Sequence, residues 1–255
     1  MSVSLDLRGV SLEYPVYSVR AQSLRSAVMN VAVGGRLMRT RGDHTVVRAL
    51  SDIHLRVGEG DRLALVGHNG SGKTTLLKVI AGIIEPTRGL MRVEGRITSM
   101  ISLGSGMDWE QSGEQNIRNI ATMRLMPKRE IEARLPRIVE FSELGAYIHL
   151  PVKTYSAGMI ARLTFSVATE LDADILVLDE WLGAGDAEFR GKAAARMNAF
   201  VERARLVVLA THDHDLVAKV CNKVCELEAG QVRFFGTLDE WIGRKAADDG
   251  QQTAA

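Results

Sequence analysis

Eight consecutive residues, Gly67-His68-Asn69-Gly70-Ser71-Gly72-Lys73-Thr74, carry the most specific chemistry in this sequence. They form a complete G-x-x-x-x-G-K-T pattern and are followed by Thr75. Glycines let successive backbone N–H groups turn inward as an anion nest, and a helix starting at the lysine adds its dipole to that field. Lys73 is placed to reach the β- and γ-phosphates of a nucleotide, and the Thr74 hydroxyl to bind Mg²⁺. His68 and Asn69 read as ordinary loop residues whose backbone does the binding. Residues 67–75 are thus the candidate phosphate cradle.

A second constellation is Ile175-Leu176-Val177-Leu178-Asp179-Glu180, an apolar strand ending in two acids. Adjacent carboxylates at the end of a buried strand are costly unless they serve something. Asp179 is expected to hold the Mg²⁺ shell through water, and Glu180 to polarise the water that attacks the γ-phosphate.

These groups need elements to position them. Val3 to Tyr14 and Val46 to Val57 read as strands, the second ending at Gly58-Glu59-Gly60. Arg62 to Val66 is a short apolar strand running into the glycine loop, and Lys73 to Ala81 is helical with Gly82 at its C-terminus. Pro86 and Gly89 precede an expected strand pair, Leu90 to Val93 and Arg96 to Ile101. From about 111 to 161 apolar residues recur at helical spacing, as in Ile117, Ile120 and Ala121, then Ile131, Leu135 and Ile138. Strand signals return at Ile175 to Leu178, Leu206 to Leu209 and Lys223 to Phe235, with a helical stretch from Gly191 to Arg205. The expectation is an α/β core with a mainly parallel sheet and a helical subdomain.

Composition bounds the rest. The chain has 255 residues, 46% hydrophobic and 25% charged, as expected of a soluble globular protein. Its formal net charge of +1 argues against a nucleic-acid partner. No apolar run approaches the roughly 18 residues needed to span a bilayer, and the N-terminus has no secretory signal, which points to the cytoplasm. Cys221 and Cys225 have no metal-binding spacing and read as buried thiols.

Further motifs carry a family resemblance. Tyr155-Ser156-Ala157-Gly158-Met159, upstream of Asp179, resembles the signature motif, commonly LSGGQ, of the ATP-binding cassette (ABC) proteins. Asp186 resembles that family's D-loop aspartate, and His212, in Ala210-Thr211-His212-Asp213, its switch histidine. Tyr14 matches the aromatic that stacks on adenine, a contact worth about 1–3 kcal/mol by analogy with base stacking. The resemblance runs from Val3 to about Ile242. It assigns residues 1–243 to one ABC ATP-binding domain; the small and polar residues 244–255 read as a disordered tail.

The resemblance implies a P-loop NTPase core with an antiparallel β subdomain and a helical subdomain. It also implies hydrolysis of ATP with Mg²⁺, by a homodimer in which each ATP lies between one subunit's phosphate loop and the other's signature. Ser156 and the backbone near Gly158 would then bind the γ-phosphate in trans. Asp186 would line the same site, and His212 would hold the attacking water. The other implied partner is an integral membrane permease, which places the chain peripherally at the cytoplasmic face of the inner membrane.

Three stretches resemble the branch that exports O-antigen, capsule and teichoic acid polysaccharides: Tyr155 to Ala168, the run Asp179-Glu180-Trp181-Leu182-Gly183-Ala184-Gly185-Asp186-Ala187-Glu188-Phe189, and Leu103-Gly104-Ser105-Gly106-Met107 leading to Gly113-Glu114-Gln115-Asn116-Ile117. The cargo would be a lipid-linked glycan, the alternative being a transporter for another substrate. The family's usual glutamine before this last stretch is missing from Ser102 to Ser105, and Gln111 and Gln115 come too late to replace it. Trp109 reads equally as a partner contact or as a half-buried loop aromatic. The chain leaves no room for the carbohydrate-binding domain that some O-antigen exporters carry.

Residues 15–43 form an insertion between two strands that could otherwise pair directly. From Pro15 to Gly42 it holds Arg20, Arg25, Arg36, Arg39 and Arg41 and no acid. Leu24, Val28, Val31 and Ala32 share a helical face that Gly34-Gly35 would end. A basic amphipathic helix points to a membrane surface or a partner. A solvated basic loop is the other reading.

Overall fold

The computed structural model describes residues 2–15, 36–39, 45–101, 106–180 and 187–252. The chain divides into two compact units, Met1–Arg96 with Val177–Trp181 and Arg205–Ala255, and Ile97–Leu176 with Leu182–Ala204.

The first unit holds an antiparallel sheet built on β1 (Ser4–Pro15) and β3 (Thr45–Gly58), paired from Ser4↔Gly58 to Pro15↔Val46 with register shifts between Leu7 and Glu13. The two strands flanking the insertion do pair directly. β1 alternates because Leu5, Leu7, Val10 and Leu12 are buried while intervening residues are not. β5 (Arg88–Glu94) pairs with the other edge of β1, and β2 (Arg36–Arg39) pairs with β3, giving the order β2-β3-β1-β5. The insertion therefore returns to the sheet as a strand, which its arginines did not reveal. Its proposed helix lies outside the described residues.

A second sheet carries β4 (Arg62–Val66) parallel to both β8 (Leu206–Ala210) and β9 (Lys223–Glu228). β7 (Ile175–Asp179) lies on the other side of β8, and β10 (Gln231–Thr237) closes the far edge antiparallel to β9. β4 is buried from Leu63 to Val66 and β8 throughout, so both read as continuous apolar runs. The stretch from Lys223 to Phe235 is a hairpin rather than one strand, because Ala229 (φ 46°) and Gly230 (φ 76°) form a two-residue reversal. Among the described residues this unit has helices α1 (Lys73–Ile80), α6 (His214–Val220) and α7 (Leu238–Gln252).

α7 corrects the expected tail. Helix continues to Gln252 through residues read as disordered. Its start is fixed by a capping box, in which Thr237 N–H donates to Glu240 Oε2 (2.8 Å) and Glu240 N–H to Thr237 Oγ1 (3.3 Å). Trp241 buries itself one residue later, and Lys245 Nζ reaches Glu226 Oε1 at 3.0 Å. These ties let an otherwise polar helix propagate.

The second unit holds β6 (Ile97–Ser99), α2 (Gly113–Met123), α3 (Lys128–Ser142), α4 (Ala157–Glu170) and α5 (Ala187–Arg203), with 3₁₀ turns at Gly145–His149 and Val152–Thr154. β6 and β5 lie in different sheets, so the expected strand pair does not form. Ile117, Ile120, Leu135, Ile138, Leu163 and Val167 make the core of this unit at the predicted helical spacing. The unit outruns residues 111–161, because Phe141, Phe165 and Phe189 pack their rings 5.5–6.2 Å apart and tie α3, α4 and α5 together.

Candidate functional site

The phosphate loop leaves the C-terminal end of β4 and enters α1. Gly72 caps α1 in the left-handed region (φ 108°), and Leu76, Leu77, Val79 and Ile80 bury the face that anchors the helix. Gly67 (φ 141°) is enforced by packing as well as by conformation. A Cβ there would lie 2.3 Å from Leu227 O and 2.7 Å from Ser71 Oγ. Gly230 N–H donates to Ser71 O (2.9 Å), so the β9–β10 turn buttresses the loop. The place of that turn against the loop follows from the pairing of β9 with β4 and is not legible in residues 223–235 alone.

Lys73 Nζ donates to Gly67 O (2.6 Å) and His68 O (3.1 Å), folding back over its own loop. Burial lowers its pKa, while the charges of Asp179 and Glu180 pull it up again. The lysine and the two acids thus act on one another electrostatically. Thr74 is exposed and Thr75 half-buried on the first turn of α1. His68 and Asn69 are exposed, and His68 Nδ1 lies 2.8 Å from Asn69 O, so the His68 ring is engaged within its own loop.

Asp179 ends β7, half-buried, and Glu180 follows it, exposed and at φ 64°. Glu180 N–H donates to Ala210 O (2.8 Å), and Thr211 N–H to Leu65 O (3.2 Å). The ends of β7, β8 and β4 are therefore cross-linked where their loops depart. His212, one residue past Thr211, sets Nδ1 2.5 Å from Glu180 Oε1. Tyr14, opposite Val47 near the end of β1, leaves 39% of its surface exposed.

Ser156 and Gly158 belong to the second unit. Ser156 is the N-cap of α4 and accepts from Met159 N–H at 3.2 Å; both Ser156 and Gly158 are exposed. Beneath them Tyr155 is buried, and its hydroxyl donates to Tyr147 O at 2.6 Å. Asp186 lies outside the described residues, as does the glutamine-less stretch Ser102 to Ser105. Gln111 Nε2 donates to Asp108 and Gln115 Nε2 to Asn119, so both amides are committed locally. Buried Asn116 holds that loop through Asp108 N–H (2.7 Å) and Asp108 O (2.9 Å). Trp109 on the same loop is 53% exposed.

Two observations test whether this cradle fits a nucleotide and its metal. Ser71 Oγ is fully buried with no hydrogen-bond partner among the described residues, in a loop whose Gly67 would clash if given a side chain. Thr74 and Asp179 offer oxygen donors only, the chemistry that Mg²⁺ prefers. The residues fit both groups.

Comparison with known proteins agrees. The profile of the ABC transporter family matches residues 50–183. The chain is 41% identical to the O-antigen export system ATP-binding protein RfbE of Yersinia enterocolitica, over 90% of this chain and 96% of that protein. It is 36% identical to an O-antigen export system ATP-binding protein RfbB of Klebsiella pneumoniae, over 93% and 95%. Among solved structures, a dimeric ATP-binding cassette in a post-hydrolysis state with ADP and Pi shares the fold. Its TM-score is 0.65 at 18% identity, covering 92% of this chain and 98% of that one.

Proposed function

This chain belongs to the ABC transporter family as an ATP-hydrolysing cassette, and we propose that it powers export of a lipid-linked polysaccharide of the O-antigen type across the inner membrane. The observation that carries the ATPase reading is the convergence of Lys73, Asp179, Glu180 and His212 at the linked ends of β4, β7 and β8. The export reading rests on the O-antigen export systems named for its relatives.

In this reading Tyr14 stacks on the adenine, and the backbone of residues 67–75 wraps the phosphates, with Lys73 swinging from its own loop carbonyls onto the terminal phosphates. Glu180 accepts a proton from the attacking water, and His212, already against its carboxylate, holds the water's position. Thr74 and Asp179 would hold Mg²⁺, which when bound would neutralise charge on the nucleotide's phosphates. Ser156, Gly158 and Asp186 complete the site of a second copy, so the working unit is a homodimer with an integral membrane permease. It sits on the cytoplasmic face, and no helix among the described residues is long and apolar enough to cross a membrane. No nucleic acid takes part. Trp109, exposed on a loop pinned by Asn116, contacts the permease. The arginines of residues 15–43 dock against that permease or against the anionic head of the cargo.

The test is reconstitution of the chain with its membrane subunit. A lipid-linked O-antigen-type glycan should stimulate ATP hydrolysis several-fold, with Glu180→Gln inactive. Stimulation by an unrelated substrate alone would select the alternative, a cassette serving a different transporter.

A further inference from the structure

The loop that carries His212 is held from two sides. On one, Glu180 meets the His212 ring and Thr211 N–H bonds to Leu65 O. On the other, Asp213 caps α6 by accepting from Asp215 and Leu216 N–H, which puts His214 in the first turn. The His214 ring meets the Trp241 ring of α7 edge to face, with centroids 5.1 Å apart and planes at 88°.

Trp241 is a fixed wall. It is 4% exposed, and its Nε1–H has no acceptor among the described residues. α7 is clamped to the β9–β10 hairpin by its capping box, by Lys245 on Glu226 and by Arg244 over Phe234 at 5.7 Å. β9 in turn pairs with β4, the strand that feeds the phosphate loop. A rigid path therefore runs from that sheet through α7 to His214, two residues from His212.

We propose that Trp241 is a positioning residue for hydrolysis, acting through His214 to hold His212 against Glu180. The inference rests on the hydrolytic role given to His212. Its consequence is that turnover, and not ATP affinity, depends on the C-terminal helix.

The test measures kcat and KM for ATP in the complex with the membrane subunit, for Trp241→Leu, Trp241→Phe, His214→Ala and the Trp241→Leu/His214→Ala double variant. Trp241→Leu and His214→Ala should each lower kcat by up to about tenfold, the scale of one aromatic ring pair, with KM within about twofold. The double variant should be no slower than the slower single one, and Trp241→Phe should recover most of the rate. His214 is exposed, so its variant folds even if Trp241→Leu does not. Unchanged kcat in His214→Ala, or multiplicative losses in the double variant, would overturn the proposal. His212→Ala serves as the control. If it abolishes turnover while His214→Ala does not lower it, the ATPase mechanism stands and this inference falls. Normal turnover in His212→Ala removes both.

Discussion

His212 Nδ1 lies 2.5 Å from Glu180 Oε1, although the two residues leave different strands. The contact exists because Glu180 N–H bonds to Ala210 O, which brings the ends of β7 and β8 together before either side chain is placed. Glu180 also adopts φ 64°, a region that costs a non-glycine residue on the order of 1–3 kcal/mol. A strained acid held against a histidine beside the phosphate loop fits the hydrolytic role proposed for the pair.

Ser156 caps a helix, and the nucleotide contact proposed for it is separable from that cap. As N-cap of α4 it stabilises a helix end, and replacing it by alanine should cost about 0.5–2 kcal/mol. Ser156→Asp keeps a good cap but sets a negative charge toward the site where a γ-phosphate would lie. Thermal unfolding of Ser156→Asp should match wild type to within a few degrees while hydrolysis is lost. Retained hydrolysis would remove Ser156 from the site.

Below the signature, Gly113 and Tyr155 are interlocked. A Cβ at residue 113 would stand 2.4 Å from the Tyr155 hydroxyl and 3.0 Å from Ile148 Cδ1. Gly113→Ala should destabilise by about 1–3 kcal/mol through overpacking. Tyr155→Phe, which loses the bond to Tyr147 O, should cost about 1 kcal/mol. In the Tyr155→Phe background Gly113→Ala should cost less, because the clashing oxygen is gone. Denaturant titrations of the four proteins check this, and strict additivity would contradict the packing described.

Burial pushes both thiols, Cys221 and Cys225, up to about 12. The folded values exceed the unfolded value near 8.5, so their contribution to stability is complete below about pH 8.5 and is lost as pH rises through about 12. Cys221→Ala/Cys225→Ala should therefore lose stability less steeply than wild type between pH 9 and 12. At pH 8 a thiol reagent should label neither cysteine until the protein is unfolded.

The insertion tests the link to transport. Reversing Arg20, Arg25 and Arg36 to Glu removes roughly 1 kcal/mol per residue of attraction to an anionic surface, about a hundredfold in all, before repulsion is counted. Basal ATP hydrolysis should persist while export in cells fails. Normal export would remove these arginines from docking.

Much of this was legible in the sequence because its signals are local. The phosphate loop, β7 with its two acids and the α2–α3 core each announce themselves within a short window. The hairpin at Ala229-Gly230, the strand Arg36–Arg39 and the helix to Gln252 did not. The first has its reversal inside a run of strand-forming residues. The second is defined by pairing with Thr45 to Arg48 rather than by its own composition. The third depends on a buried Trp241 and a tie to Glu226 that only the fold supplies. The Trp241–His214 contact was invisible for the same reason.

Two copies of the chain are proposed to close around ATP, and the mass of Glu180→Gln protein by light scattering, with and without Mg-ATP, tests this most directly. Glu180→Gln should slow turnover by about 10²–10⁴ and so trap the closed form. The expected result is a shift from one chain to two, with one nucleotide bound per chain, abolished by adding Ser156→Asp. A mass that stays at one chain under saturating Mg-ATP, both alone and with the membrane subunit, would contradict the account.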